Sequence, residues 1–169
     1  MGTRWSAGSA LLSLAAACAI AACGSSGKSG PSGADFAPLF DTPDATAPTP
    51  DSLDGLWAGS LSDAGFTLDV RLELTMGTMT FAARCEGPGV LYAGIKVPDA
   101  VGPSTITALA SAADNESQGS FNCHATIMAG QSFSYQLSGL MMTLTFPDTG
   151  SPMPGFTQFN MITLTKLSD

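Results

Sequence analysis

The sequence predicts an all-β domain, an antiparallel meander that forms a small barrel of eight or nine strands, with a β-sandwich as the second choice. Two observations support this fold class. Several short stretches alternate apolar and polar residues, which is the pattern of strands with one buried face. Turn signals separate nearly all of these stretches, and short strands at such spacing are typical of barrels and sandwiches.

The clearest predicted strand is 66–74, where Phe and aliphatic residues alternate with Thr, Asp, Arg and Glu. The other predicted strands are 56–61, 79–85, 91–97, 105–112, 119–126, 132–138, 140–146 and 156–167. Turns are predicted at 63–65, 87–89, 98–99, 114–116, 130 and 138–139. The Ala-rich run 108–113 is the one place where a helical turn is considered, and the Pro-rich stretch 147–155 cannot be a strand interior.

Residues 1–22 have the layout of a secretory signal peptide. One basic side chain, Arg4, precedes a short Ala- and Leu-rich core and a run of small residues. The core is shorter than the roughly 20 apolar residues that a membrane-spanning helix needs. An ordinary signal peptide and an uncleaved signal anchor remain the alternatives to the interpretation that follows.

The end of this segment, Ile20-Ala21-Ala22-Cys23, resembles the lipobox of bacterial lipoproteins. The resemblance implies cleavage before Cys23, acylation of that residue, and attachment to the membrane through its lipid, because several acyl chains make a stable anchor. Cys18 lacks the branched residue at the first lipobox position. Gly24 follows Cys23 where inner-membrane lipoproteins often have Asp, so we expect a cell-envelope protein, sorted to the outer membrane.

Residues 23–52 are predicted to be the lipidated cysteine and a disordered linker, and residues 53–169 the β-barrel domain. The linker is rich in Gly, Ser, Pro, Thr and Asp, and such a segment cannot bury enough apolar surface to order itself. Its length would lift the domain from the bilayer by roughly 30 Å. Phe36, Leu39 and Phe40 are exceptions that either occur by chance or dock on the domain or a partner.

Charge excludes one class of partner. The chain carries 6 basic and 14 acidic residues, and removal of residues 1–22 leaves a net charge of −9. Nucleic-acid binding requires a basic face, so we expect no nucleic-acid partner. Anionic lipid would repel the chain, so the lipid anchor must supply membrane attachment.

The number of cysteines in the mature chain predicts a disulfide. Once Cys18 is removed and Cys23 is acylated, Cys85 and Cys123 remain, and an even pair in an exported chain indicates a disulfide. A metal site is not predicted, because neither cysteine belongs to a CxxC pair. Adjacent strand residues such as Cys123 and His124 also point to opposite faces.

Gly55-Leu56-Trp57 and the closing segment 160–166 loosely resemble the corresponding parts of lipocalin-like small barrels. The resemblance implies that Trp57 packs across the closed end of the barrel beneath a basic side chain, here Lys166. The family's central Thr-Asp-Tyr motif is missing, and its basic residue is usually Arg.

An eight-stranded barrel can hold one small ligand, and methionine suits adaptable apolar pockets. A small apolar ligand is therefore predicted to contact five side chains: Trp57, Met79, Phe81, Met142 and Met161. Plain core packing by these residues is the alternative. In that case side chains fill the barrel and no ligand binds. The protein then has a structural role, or it binds an envelope protein, for example as an inhibitor.

No enzyme activity and no cofactor are predicted. Asp69 and Glu73 alternate with Arg71 on one strand face, which is the ordinary appearance of a wet sheet surface rather than of carboxylates flanking a cleft. His124 is expected to face water, and the sequence has no nucleophile motif to accompany it as a general base.

Overall fold

The protein is represented by a computed structural model, which describes residues 31–41, 47–63, 65–146 and 160–169. The predicted signal peptide, Cys18, Cys23 and the Pro-rich stretch 147–155 lie outside these residues. The strands are β1 (Gly55–Asp63), β2 (Phe66–Thr75), β3 (Thr78–Glu86), β4 (Val90–Val101), β5 (Thr105–Ala108), β6 (Ala112–Gln118), β7 (Phe121–Ile127), β8 (Ser132–Ser138), β9 (Met141–Thr145) and β10 (Met161–Ser168).

Eight of these strands form a closed antiparallel barrel in the order β1-β10-β9-β8-β5-β4-β3-β2. The predicted all-β barrel is therefore confirmed. Each barrel strand pairs with its sequence neighbour except where β6 and β7 interrupt the meander between β5 and β8. Closure leaves the barrel without an unpaired edge strand.

Period-two alternation builds the core as the sequence indicated. In β2, Leu68, Val70, Leu72 and Leu74 are buried, and the residues between them lie on the outer face. The matching residues of β3 and β4 complete one side of the interior, since Leu72 pairs with Phe81, which in turn pairs with Ile95. The alternation thus places one apolar row from each strand inside the barrel.

β6 and β7 form a separate two-stranded hairpin that packs on β3 and β4. The predicted Cys85–Cys123 disulfide is present and joins β3 to β7 across a Cα–Cα distance of 5.7 Å. Neither strand of the hairpin is paired by backbone hydrogen bonds with a strand of the barrel. The disulfide is therefore its covalent link to the barrel wall, in addition to the chain connections on either side.

Three local predictions were wrong. The predicted strand 105–112 is divided, because β5 ends at Ala108 and β6 begins at Ala112, with a non-helical connection at 109–111. The predicted turn 114–116 lies inside β6, where Asn115 pairs with His124 across the hairpin. The predicted turn 98–99 lies inside β4. A proline is tolerated at position 98 because β4 changes its pairing partner there. Pro98 is the last residue of β4 that pairs with β3, and Asp99 is the first that pairs with β5.

Part of the predicted disordered linker is folded. A short helix, α1 (Gly33–Phe36), continues into a 3-10 turn (Ala37–Phe40), and α1 packs on β4. We call residues 33–40 the strap. Its order comes from tertiary contacts rather than from its own composition, because helices this short are not stable in isolation.

Candidate functional site

The barrel interior was the predicted ligand site, and the cavity found there among the described residues is small. The cavity left between the side chains measures about 10 Å³, which is room for about one water molecule. Its lining is apolar apart from one threonine and comprises Leu72, Met79, Phe81, Ile95, Ile106, Thr126, Ile127, Phe133, Leu144 and Phe146. An apolar cavity of this kind stays dry.

Four of the five predicted ligand residues meet inside the barrel. Trp57, Met79, Phe81 and Met142 are all buried in the core, and Met79 and Phe81 also line the small cavity. Met161 is separated from them, because its side chain is 54% exposed. Ile162 and the alternate residues that follow it take the inward positions of β10, so the placement of Met161 on the apolar face is corrected.

One end of the barrel is built around Trp57 and Lys166, the two residues that the lipocalin resemblance placed together. The Lys166 Nζ atom lies 5.7 Å from the centre of the Trp57 ring, within reach of a cation–π interaction. The Trp57 indole N–H donates to the Leu53 carbonyl oxygen at 2.8 Å. Both side chains are buried, so this contact fixes the packing at that end.

The same lysine holds the segment that precedes β1 and the residue that follows β10. Lys166 Nζ donates to the Thr49 carbonyl oxygen at 3.1 Å and to the carboxylate of Asp169. Hydrogen bonds from Lys166 and from Thr49 lower the pKa of the Asp169 carboxyl from 3.8 to about 2. These bonds stabilise the fold above pH 3.8, and their contribution is lost as the pH falls toward 2.

Asp99 on β4 is a buried carboxylate that sequence reasoning missed. It is only 6% exposed, and its Oδ1 atom has no hydrogen-bond partner among the described residues. Burial raises its pKa, and the negative charge of Asp54 raises it further. A carboxyl whose pKa is raised by folding favours the folded state at low pH, and that contribution is lost as the pH rises through the folded pKa. The one sequence signal for this burial is the alternation along β4, which places Asp99 on the same inward face as Ile95 and Val97.

The charged face of β2 differs partly from the wet surface that was predicted. Asp69 pairs with Arg84 at 3.5 Å, and Arg84 also contacts Glu86. Arg71, however, is covered by the strap, and partial burial lowers the pKa of its guanidinium. Asp69 and Glu73 stand on the outside of the barrel wall rather than across a cleft.

His124 is half-buried on β7, and burial lowers the pKa of its imidazole. It was expected to face water, so this burial is a partial correction.

In the parts of the chain that the structure describes, no three His, Cys, Asp or Glu side chains come together as a metal site would require. Among the same residues, no helix is long and apolar enough to cross a membrane.

The strap is the second feature, and docking on the domain was one of the alternatives left open for its apolar residues. The structure shows this docking, because Phe36 is buried against Gly94 of β4. The only signal for it was the group of apolar residues Phe36, Leu39 and Phe40 within an otherwise polar linker.

No family model matches the chain, and the comparisons with curated proteins and with solved structures found no significant match.

Proposed function

We propose that the chain is a cell-envelope lipoprotein, held at the outer membrane by an acylated Cys23, whose filled barrel binds an envelope protein. The observation that carries the second part is the small volume of the cavity between the core side chains, about 10 Å³. Ligand pockets typically measure about 300–1,000 Å³, whereas a small eight-stranded barrel can equally be filled by its own side chains. A filled barrel is a rigid body that acts through its surface.

One region of that surface suits a protein partner. Met76, Leu109 and Met128 are all more than half exposed, and Met76 is 96% exposed. Their loops meet around one part of β4 and β5. The Asp99 N–H donates to the Gly77 carbonyl in the Met76 loop, and the Leu109 N–H donates to the Pro98 carbonyl. The Gly130 N–H, in the loop that begins at Met128, donates to the Ala108 carbonyl. Exposed methionines adapt to the shape of a partner. The net charge of −9 favours a partner that is not acidic.

Binding of a small apolar ligand is the second candidate, and the apolar lining of the cavity favours it. Met79 and Phe81 lie in that lining, as the ligand hypothesis requires. Part of the wall comes from Thr126 and Ile127 of β7. The β6–β7 hairpin is outside the barrel ladder, so its displacement would enlarge the cavity without breaking a barrel strand pair.

Native mass spectrometry separates the two candidates. We expect a chain that starts at Gly24, purified from an oxidising compartment with its disulfide intact, to give the mass of the polypeptide alone. A bound molecule of a few hundred daltons would contradict the filled-barrel proposal and favour the apolar ligand. Addition of a long-chain fatty acid as a probe should likewise leave the apo mass unchanged.

Substitution of the anchor residue tests the lipoprotein part. We expect Cys23→Ser to abolish incorporation of radiolabelled palmitate and to release the protein from the membrane fraction, because the acylated thiol is the proposed anchor. Cys18→Ser is the matched control and should leave both unchanged, since that residue is removed with the signal peptide. Labelling that persists in Cys23→Ser would show that the anchor has been assigned to the wrong residue.

A further inference from the structure

We propose that the strap docks the lipid-bearing end of the chain on the outer face of β2–β4, and thereby holds the barrel close to the bilayer with this face turned toward it. The inference rests on the proposed acylation of Cys23. It concerns a contact within one chain. Its consequence is a shorter tether and a preferred orientation of the barrel at a lipid surface.

The centre of the contact is Phe36, which is only 5% exposed although it comes from a polar segment. Its ring lies directly on Gly94 of β4. A Cβ atom at position 94 would be 2.3 Å from two atoms of the Phe36 ring, so no larger residue fits there without moving the strap. Gly94 pairs with Ala82 of β3, so two small residues lie side by side on the outside of the barrel.

The second half of the strap is held by Arg71. The Arg71 Nε–H donates to the Leu39 carbonyl at 3.2 Å, and its guanidinium lies 4.9 Å from the centre of the Phe40 ring. The Phe40 ring also packs on Tyr92, with 5.7 Å between ring centres. Carbonyl, cation–π and aromatic contacts therefore hold the strap on β2 and β4, the two strands that flank β3.

The chain enters the strap at a defined point. A Cβ atom at Gly33 would be 1.8 Å from the Tyr92 carbonyl oxygen, so the backbone approaches β4 as closely as only glycine allows. The preceding Ser32 N–H donates to the Asp35 carboxylate at 2.7 Å, and the Asp35 N–H returns a bond to the Ser32 carbonyl. These bonds are typical of a helix start.

The docked strap shortens the free tether. Ten residues separate Cys23 from Gly33, which limits the reach to about 34 Å when fully extended and to about 17 Å as a root-mean-square distance. Without the strap, the next residue that the described part of the chain shows attached to the barrel is Thr49, which bonds to Asp169. The separation is then 26 residues, and the root-mean-square distance rises about 1.6-fold.

Energy transfer on vesicles tests this. The full lipidated protein is reconstituted into phosphatidylethanolamine–phosphatidylglycerol vesicles that carry an acceptor dye on the lipid. A donor is attached at Lys96→Cys on β4 or at Thr163→Cys on β10, which lies four strands away in either direction round the barrel. We expect more transfer from position 96 than from position 163, because the strap face lies nearer the lipid.

Gly94→Ala should displace the strap and remove the difference between the two donors. Phe36→Ala should do the same without altering any residue of the barrel, so it decides the question if Gly94→Ala does not fold. Gly89→Ala is the matched control and should keep the difference, because its Cβ would meet only the end of the Gln118 side chain.

Equal transfer from the two positions in the wild type, or a difference that survives both strap variants, would overturn the inference. Failure of the wild-type protein to associate with vesicles would instead refute the acylation on which the inference rests. These outcomes are distinguishable, because vesicle association is measured by flotation before any transfer is recorded.

Discussion

Replacement of Trp57 by alanine is expected to lower the free energy of unfolding by about 3–5 kcal/mol, the usual cost of removing a buried tryptophan. The Trp57 side chain is fully buried at one end of the barrel and packs beneath the Lys166 ammonium group. Its loss leaves a large cavity and removes the aromatic face that this buried cation contacts. Equilibrium urea unfolding of the wild type and the variant measures the difference.

Trp57→Phe separates the packing of the ring from the polar contact. Phenylalanine retains most of the aromatic volume but cannot donate to the Leu53 carbonyl, a hydrogen bond worth about 1 kcal/mol. We therefore expect a smaller loss than for Trp57→Ala. Met161→Ala, at an exposed position, should change stability by less than about 0.5 kcal/mol. If Trp57→Ala proved as mild as Met161→Ala, the closed end would not be a centre of stability.

The strands could be predicted because each has one face in the core and one outside. In β2 the apolar period of two coincides with burial from Leu68 to Leu74, whereas Phe66, at the start of the same predicted face, is 41% exposed. The same pattern misplaced Met161, because an apolar residue on the outer face looks identical to one on the inner face. Only the neighbours Ile162 and Leu164, both buried, reveal which face of β10 points inward.

Docking of Phe36, Leu39 and Phe40 on the domain was left open rather than predicted, because the order of the strap depends on a partner surface distant in the sequence. Composition alone places residues 33–40 in a polar linker. The decisive feature is Gly94, which in the sequence is simply one small residue within a strand. Its lack of a side chain matters only once Phe36 lies against it.

The volume of the interior was also beyond sequence reasoning. Alternation tells which side chains point inward but not how closely they meet across eight strands. Phe133 and Phe146 pack edge to face with 5.7 Å between ring centres, and both side chains line the cavity. Of the five predicted ligand residues, Met79 and Phe81 line the cavity, whereas the sequence carried no information on its size.

Removal of the disulfide should have an effect comparable to that of Trp57→Ala. The bond joins residues separated by 38 positions, and the chain-entropy model gives about 4 kcal/mol of stabilisation for such a loop. We expect the double variant Cys85→Ala and Cys123→Ala to lose about this amount in urea unfolding. Both cysteines are buried, and substitution of both leaves no free thiol in the core.

The loss should be distributed unevenly through the molecule. The β6–β7 hairpin shares no hydrogen-bond ladder with the barrel, although the Gly94 N–H does donate to Asp114 of β6. We therefore expect amide hydrogen exchange in β6 and β7 to accelerate more than exchange in β2 and β3, whose ladder is continuous. A reductant should reproduce this pattern in the wild type and leave the double variant unchanged. Uniform acceleration in hairpin and barrel would mean that the two unfold as one unit, because the packing of β7 on β3 would then couple them without the covalent bond.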